Sequence, residues 1–289
     1  MTKRGRPFEP GNTYGRGRPP GSRNQSTLLV EQLLDEYKGP LMRKSLMMGL
    51  QGCVPILKTL LQPLLGGYRG SPTKLGRLPT RTVEELSRMV AKILNYEQGT
   101  PSDEALLVAD ANEGFDFEQT SGELRSLIPD NLRITQVNRG RLDPEMARSS
   151  LFEALYRKQF LVNYAGHGSV NQWRGNLLTN DDALALSNEH LPMFVMMTCL
   201  NGYFHDPALD SLGESLLKAE RGGAVAVWAS SGMTLPADQA LLDRELYRLL
   251  FNSADMTIGE AVMRAKASVG SADIRRTWLL FGDPTMRLR

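Results

Sequence analysis

The sequence predicts an α/β fold in which a mainly parallel sheet is covered by helices on both faces. From Gly76 to Arg289, short apolar runs of four to six residues alternate with helical segments. Runs that are almost wholly apolar are typical of strands buried on both faces, as parallel strands are. Glycine-containing turns follow two of these runs, at residues 165–169 and 199–202. Such turns indicate the places where strands end.

The order of helices and strands follows from the local patterns. Thr82–Tyr96 has the spacing of an amphipathic helix, and Ala105–Ala109 is the first buried strand. The remaining predicted elements alternate along the chain in this order: helix Phe117–Ile128, strand Leu132–Val137, helix Pro144–Tyr156, strand Phe160–Tyr164, helix Asp181–Ser187, strand Met193–Thr198, helix Ser211–Glu220, strand Ala224–Ala229, helices Pro236–Phe251 and Ile258–Ala267, and strand Trp278–Phe281. Strands that are separated by helices build a sheet with crossover connections.

The first 75 residues differ in composition from the rest. Residues 1–26 are rich in Gly, Pro, Arg, Asn and Ser and are predicted to be disordered. Residues 27–69 contain apolar helical stretches, and residues 70–75 form a linker. Residues 1–23 carry six basic residues and one acidic residue, a net charge of +5, which leaves 28 basic and 31 acidic residues, a net charge of −3, for the remainder. The body of the chain is therefore not predicted to bind polyanions.

The composition also argues against several classes of protein. The two cysteines, Cys53 and Cys199, are too few for a disulfide framework, and no CxxC pair suggests zinc. The basic N-terminus lacks the apolar stretch of a secretory signal, which predicts a cytoplasmic location. No apolar run approaches the roughly 18 residues that a membrane span needs.

Two residues that could perform chemistry follow predicted strands directly. His167 lies in a glycine-flanked turn after the strand Phe160–Tyr164, and Cys199 follows the strand Met193–Thr198. Catalytic groups in parallel sheets gather at the carboxyl ends of strands. An imidazole beside a thiol raises the thiolate fraction that a nucleophile needs. The sequence therefore predicts a nucleophilic Cys199 that is activated by His167.

Other candidates for these roles have weaker patterns. His205 lies six residues after Cys199 but has no strand before it, and His190 precedes the start of a strand. Both are predicted to be loop residues. Cys53 lies in an apolar segment and is predicted to be inert.

From Gly76 to Arg289 the sequence resembles the gingipain-type cysteine peptidases, peptidase family C25, whose catalytic domain has a caspase-like fold. The resemblance implies a cysteine-type endopeptidase that acts on polypeptides and requires no cofactor. It also implies that His167 is the base, that Cys199 is the nucleophile, and that the amides of Gly168 and Cys199 form the oxyanion hole. The matching motifs are GRLPTRT (76–82), LVNYAGHGS (161–169), LPMFVMMTCLNGYF (191–204), SLGESLL (211–217), GGAVAVWASS (222–231), TIGEAVMRAK (257–266) and LLFGDPTMRL (279–288).

The acidic loop Asp110–Asp116 has several interpretations. Family members place an acid after the first long strand to orient the histidine, and Asp116 is the nearest candidate for that role. The loop also resembles the start of a calcium-binding EF-hand without its later Glu. Calcium therefore stays an alternative to a solvated turn, and no other metal is expected. Relatives that cleave after Arg or Lys have an acid in the S1 pocket, whereas this chain has Arg125 or Ser126 near the corresponding place, which predicts no strong preference for a basic P1 residue.

The N-terminal tail contains two RGRP sequences, at residues 4–7 and 16–19. They resemble the core of the AT-hook, in which arginines enter a narrow A·T minor groove. The surrounding segment resembles a bacterial and phage domain of unknown function. The tail therefore has two interpretations: it binds A·T-rich DNA, with Arg4, Arg6, Arg16 and Arg18 as the contacting residues, or it is a solvated basic segment.

The region before residue 76 departs from the peptidase family. Relatives carry further strands upstream of the GRLP motif, where this chain has the helical residues 27–69. Two functions follow from this. The chain is a cysteine peptidase with a shortened N-terminal half, or it is a DNA-associated protein whose caspase-like domain is an inactive scaffold.

Overall fold

The computed structural model describes residues 74–206, 208–253 and 255–289, all within one compact unit of the chain, Gly70–Arg289. The predicted tail and most of the predicted helical segment and linker, residues 1–73, lie outside the described residues. The RGRP arginines and Cys53 belong to that part of the chain. The fold below is therefore that of the predicted α/β region alone.

The described residues form alternating helices and strands close to the predicted positions. The helices are α1 (Val83–Gln98), α2 (Phe117–Arg125), α3 (Pro144–Leu155), α4 (Asn180–Ala185), α5 (Leu212–Lys218), α6 (Pro236–Asn252), α7 (Ile258–Ser268) and α8 (Ala272–Thr277), with single 3-10 turns at Arg139–Arg141 and Arg174–Asn176. The strands are β1 (Glu104–Ala109), β2 (Arg133–Asn138), β3 (Gln159–Ala165), β4 (Gly168–Ser169), β5 (Gln172–Trp173), β6 (Met193–Met197), β7 (Ala226–Ser230) and β8 (Trp278–Phe281).

Capping side chains explain where several helices begin. Thr179 and Ser211 each accept a hydrogen bond from the third helical amide of α4 and α5, and the acidic side chain at that position binds back to the cap. Asp143 accepts from two amides at the start of α3, where Pro144 takes the first helical position. These side chains satisfy amides that have no partner inside the helix.

A six-stranded sheet in the order β2-β1-β3-β6-β7-β8 forms the centre of the domain. Its strands are parallel except β8, which runs antiparallel to β7. Two apolar clusters lie on opposite faces. One contains side chains of α2, α6 and α7, and the other contains side chains of α3, α4 and α5. The predicted caspase-like arrangement, a mainly parallel sheet with helices on both faces, is confirmed.

The register of the central strands determines where the loops leave the sheet. Ala109 at the end of β1 pairs with Ala165 at the end of β3, and Ala165 pairs with Met197 at the end of β6. The three chain segments that follow β1, β3 and β6 therefore leave the sheet at the same level, at the carboxyl ends of the parallel strands. The sequence places both predicted reactive residues at these ends.

Candidate active site

His167 follows β3 by two residues, and its backbone is fixed on both sides. Its N–H donates to Asp110 Oδ2 at 3.1 Å. Its carbonyl oxygen accepts from the Tyr164 hydroxyl at 2.7 Å and from the Arg174 N–H at 2.9 Å. Burial and the Asp110 carboxylate raise the pKa of Tyr164 well above its ordinary value, so the phenol stays protonated and donates. The imidazole is partly exposed and meets the ring of Phe117 edge to face, with the centroids 5.2 Å apart.

Cys199 follows β6 by two residues and is a partly buried free thiol. Its Sγ lies 3.7 Å from the carbonyl oxygen of Thr234, in the loop between β7 and α6. The next residue, Leu200, has a φ of 63°, which is rare for a branched side chain and strains the backbone. The Leu200 N–H donates to the carbonyl of Gly232 at 3.2 Å, so the loop after β7 holds this turn in place.

The loops that carry His167 and Cys199 are in direct contact. The Gly166 N–H donates to the carbonyl of Met197 at 3.1 Å, which extends the β3–β6 ladder past the end of both strands. A Cβ atom on Gly168 would lie only 2.5 Å from Thr198 Oγ1, so the residues next to the base and the thiol approach as closely as glycine allows. The side-chain amide of Asn201 donates to the carbonyl of Ser169. The imidazole and the thiol therefore follow the ends of adjacent strands, and adjacent strands of a sheet lie about 5 Å apart.

The two amides predicted for the oxyanion hole lie in these contacting loops. Gly168 lies opposite Trp173 in the β4–β5 hairpin, and the neighbouring residues His167 and Arg174 are joined by a hydrogen bond from the Arg174 N–H to the His167 carbonyl. Gly168 is therefore at a non-hydrogen-bonded position, whose N–H points away from the partner strand. Within the described residues, the Cys199 N–H donates to no backbone carbonyl outside the strand ladders. The role of the two amides in binding a substrate oxygen stays a prediction.

The structure places Asp116 and Asp110 differently with respect to His167. Asp116 is the N-cap of α2, and its carboxylate accepts from the Gln119 N–H and the Asn112 side chain, both at 2.8 Å. Among the described residues, no hydrogen bond joins it to His167. Asp110 is the acid that contacts the His167 segment. In the sequence, Asp110 was identified only as the first residue of the acidic loop. The one signal for it was its position directly after a fully apolar strand.

The alternative histidines have other surroundings. The His205 side chain is exposed and packs on the rings of Tyr203 and Phe204. His190 lines a cavity with Tyr96 and Gln159, the first residue of β3, at the opposite end of that strand from His167. Neither histidine has a described contact with Cys199. The geometry thus favours His167 as the candidate base, because it follows the strand next to the one that precedes the thiol.

A cleft of about 340 Å³ lies between the start of α2 and the first half of α6. Its α2 wall reaches His167 through aromatic contacts, since Phe115 packs on Phe117, which packs on the imidazole. Its α6 wall begins three residues after Thr234, the residue whose carbonyl contacts the thiol. The cleft is lined by Phe115, Asp116, Gln119, Thr120, Glu123, Ala237, Ala240, Leu241 and Arg244.

The cleft has apolar walls and acidic groups. The Asp116 carboxylate is one of them, and Glu123 is paired with Arg244. In the segment before α6, the apolar side chains of Met233 and Leu235 are 77% and 69% exposed.

The described residues contain no cluster of three or more His, Cys, Asp or Glu side chains placed to hold a metal ion. The calcium alternative for the acidic loop stays untested. None of the helices in the described part of the chain is both long enough and apolar enough to cross a membrane.

The sequence model of peptidase family C25 matches residues 73–289 of this chain. Among characterised proteins, gingipain R2 of Porphyromonas gingivalis is 24% identical over 251 residues, which cover 78% of this chain and 34% of the relative. Gingipain R1 of the same species is also 24% identical over 78% of this chain, and the match covers 25% of that protein. The chain therefore spans about a third or less of the length of these relatives.

Two solved structures have a similar fold. The Arg specific cysteine proteinase gingipain R superposes with a TM-score of 0.66 and 23% identity, covering 74% of this chain and 55% of that one. The complex of Porphyromonas gingivalis RgpB pro- and mature domains gives a TM-score of 0.67 and 21% identity, covering 80% of this chain and 60% of that one. At these identities the superpositions establish the fold.

Proposed function

This chain belongs to peptidase family C25, and from that membership we propose that it is a cysteine endopeptidase that uses Cys199 and His167. The observation that carries the proposal is the contact between the two loops. A thiol and an imidazole follow the ends of adjacent strands at the same register, with Gly168 packed against Thr198. A nucleophile beside a base is the arrangement that acyl transfer requires.

The proposed reaction proceeds in two steps. His167 takes the proton of the Cys199 thiol, and the thiolate attacks the carbonyl carbon of the scissile peptide bond. The carbon–nitrogen bond then breaks, His167 gives its proton to the leaving amine, and a thioester remains on Sγ. Water, deprotonated by His167, hydrolyses the thioester to a carboxylic acid and restores the thiol.

The amides of Gly168 and Cys199 are proposed to stabilise the negative charge that develops on the substrate oxygen. Backbone donors held in a fixed direction are effective because they need no reorganisation as the charge forms. Their direction is set by the β4–β5 hairpin in one case and by the strained turn at Leu200 in the other.

We propose further that the cleft between α2 and α6 receives the P1 side chain. Sequence reasoning looked for an acid near Arg125 and Ser126, which do not line the cleft, whereas Asp116 does. The Asp116 carboxylate, above apolar walls, would bind the cationic end of Arg or Lys. A solved relative is described as Arg specific. The cleft therefore favours a basic P1 residue, in contrast to the expectation from the sequence.

Alkylation of the thiol tests the proposed function without any assumption about the substrate. Iodoacetamide should modify Cys199 much faster than Cys53 at neutral pH, and His167→Ala should remove the difference. Cys199→Ala should abolish turnover of a denatured protein substrate. Equal and slow labelling of both cysteines would contradict the proposal and favour an inactive scaffold.

A further inference from the structure

A buried carboxylate at the end of β1 holds the backbone that carries the proposed base. We propose that Asp110 is a positioning residue for His167, and that it fixes the direction of the imidazole and of the Gly168 amide through the His167 N–H. This inference rests on the proposed function for its kinetic consequences. Its structural content can be tested separately.

The Asp110 side chain is fully buried and surrounded by hydrogen-bond donors. Oδ2 accepts from the His167 N–H at 3.1 Å. Oδ1 accepts from Arg139 Nη1 at 2.7 Å and from the Ala111 N–H at 2.8 Å. All three partners donate, so the site requires a group that only accepts, and an ionised carboxylate is such a group.

Arg139 balances the charge that burial would otherwise make costly. A buried carboxylate without a cation is strongly unfavourable, because it loses its hydration. The Arg139 side chain is held in turn by Gly175, whose φ is +67° and whose missing Cβ would collide with the guanidinium. The ion pair therefore compensates the charge of the buried carboxylate, while its Oδ2 accepts from the His167 N–H.

The other side of the His167 backbone has two supports of its own. The Tyr164 hydroxyl and the Arg174 N–H both bind the His167 carbonyl. Asp110 is the described partner of the N–H. Together with the bond from the Gly166 N–H to the Met197 carbonyl, this bond sets the direction from which the chain enters residue 167. Loss of the bond would free the peptide between Gly166 and His167 while the carbonyl stays held.

The substitution Asp110→Asn should remove the hydrogen bond to the His167 N–H and keep a contact with Arg139. An amide has one accepting and one donating end, whereas the site has donors on both sides. Arg139 and the Ala111 N–H attract the amide oxygen, so the NH₂ group is turned towards the His167 N–H, and that bond is lost. Adding Arg139→Met removes the guanidinium, so that only the Ala111 N–H still competes with the His167 N–H for the amide oxygen, and it leaves no charge buried.

The experiment compares Asp110→Asn, the double variant Asp110→Asn/Arg139→Met, and Asp103→Asn as a control. Asp103 precedes the same strand at its other end, where it pairs with Arg133 and is 57% exposed. Hydrogen–deuterium exchange of overlapping peptides that isolate the His167 amide reports the bond directly. The rate of Cys199 alkylation, kcat and KM report its effect on the site.

We expect Asp110→Asn to speed exchange of the His167 amide and to slow Cys199 alkylation about tenfold. A base misplaced by an ångström costs on the order of a hundredfold in rate, so kcat should fall by about that factor while KM changes little. The double variant should recover part of both losses. Asp103→Asn should match the wild type.

Two outcomes would overturn the inference. They are unchanged exchange of the His167 amide in Asp110→Asn, and a fast amide with unchanged Cys199 alkylation. The double variant keeps the test available if Asp110→Asn does not fold, because it carries no buried charge. A wild-type protein without a reactive Cys199 would instead refute the proposed function, and the exchange data would still decide whether Asp110 holds the loop.

Discussion

Replacing Asp243 by Asn should stabilise the domain at neutral pH, although it changes a fully buried residue. Asp243 lies on α6, and the side-chain amide of Asn163 on β3 donates to both of its carboxyl oxygens, at 3.0 and 2.8 Å. Burial raises the pKa of Asp243 from 3.8 to about 8, against the opposing effect of Asn163. The same environment raises the pKa of Tyr247. The folded protein therefore binds a proton at neutral pH that the unfolded chain releases.

The sign and size of the effect follow from this difference. A raised pKa means that the stability linked to the proton is fully present below pH 3.8 and is lost as the pH rises to about 8. The loss is about 1.4 kcal/mol per pH unit within this window, which amounts to about 4 kcal/mol at pH 7. Asn cannot ionise, and its oxygen can still accept from Asn163. The variant should therefore escape the loss.

Urea unfolding of the wild type and Asp243→Asn between pH 4 and pH 8 measures the difference. The free energies of unfolding should diverge by about 3 to 4 kcal/mol from pH 4 to pH 7 and stop diverging above pH 8. Asp255→Asn, an exposed acid in the turn before α7, should give a curve parallel to the wild type. Parallel curves for Asp243→Asn would show that the Asp243 carboxyl is not held protonated.

Three further predictions concern the site and the tail. Cys199→Ala and His167→Ala should each lower peptide turnover at least about a thousandfold with little change in Tm, whereas His205→Ala should stay active; an inactive His205→Ala with an active His167→Ala would reverse the assignment of the base. Asp116→Asn, which keeps the helix cap, should lower the ratio of kcat/KM for a P1 Arg substrate to kcat/KM for a P1 Leu substrate at least about tenfold, and should leave Cys199 alkylation unchanged. Equal losses for both substrates, or a peptide library that shows no preference for basic P1 residues, would contradict the proposed pocket. A peptide of residues 1–26 should bind A·T-rich duplexes more tightly than G·C-rich ones, with a log–log salt slope no steeper than roughly −5; equal affinities would make it a non-specific polycation.

The order of elements in the α/β region could be predicted because buried parallel strands leave a strong signal. The runs at 105–109, 193–198 and 278–281 are nearly all apolar, and each coincides with an observed strand to within a residue. Helix starts were equally clear where a cap or a proline marks them, as at Pro144 and Pro236. These signals are local, so they do not depend on the tertiary structure.

Features that depend on tertiary contacts could not be predicted in this way. The hairpin of β4 and β5 has two residues in each strand, too few for any periodicity. Helix α8 has six residues and ends directly at β8, which runs antiparallel although nothing in its sequence marks the direction. The sequence also does not show that Asp116 lines a cleft together with residues of α6, because this depends on how the two helices pack.

The two halves of the proposed site are supported from opposite sides of the sheet centre. The His167 loop is held by groups that follow β1 and β2, the neighbours on one side of β3. The Cys199 loop is held by the loop that follows β7, the neighbour on the other side of β6.

The two halves meet in few contacts. The bond from Gly166 to Met197, the packing of Gly168 on Thr198, and the bond from Asn201 to Ser169 join them. The last of these is donated by the buried side-chain NH₂ group of Asn201, whose Oδ1 has no partner among the described residues. Each loop is also tied to its own side of the sheet, so we expect a change in the β3–β6 register to break these contacts and to separate the proposed base from the thiol. The alignment of the proposed dyad should therefore depend on the register of the sheet, because proton transfer requires the two groups within hydrogen-bonding reach.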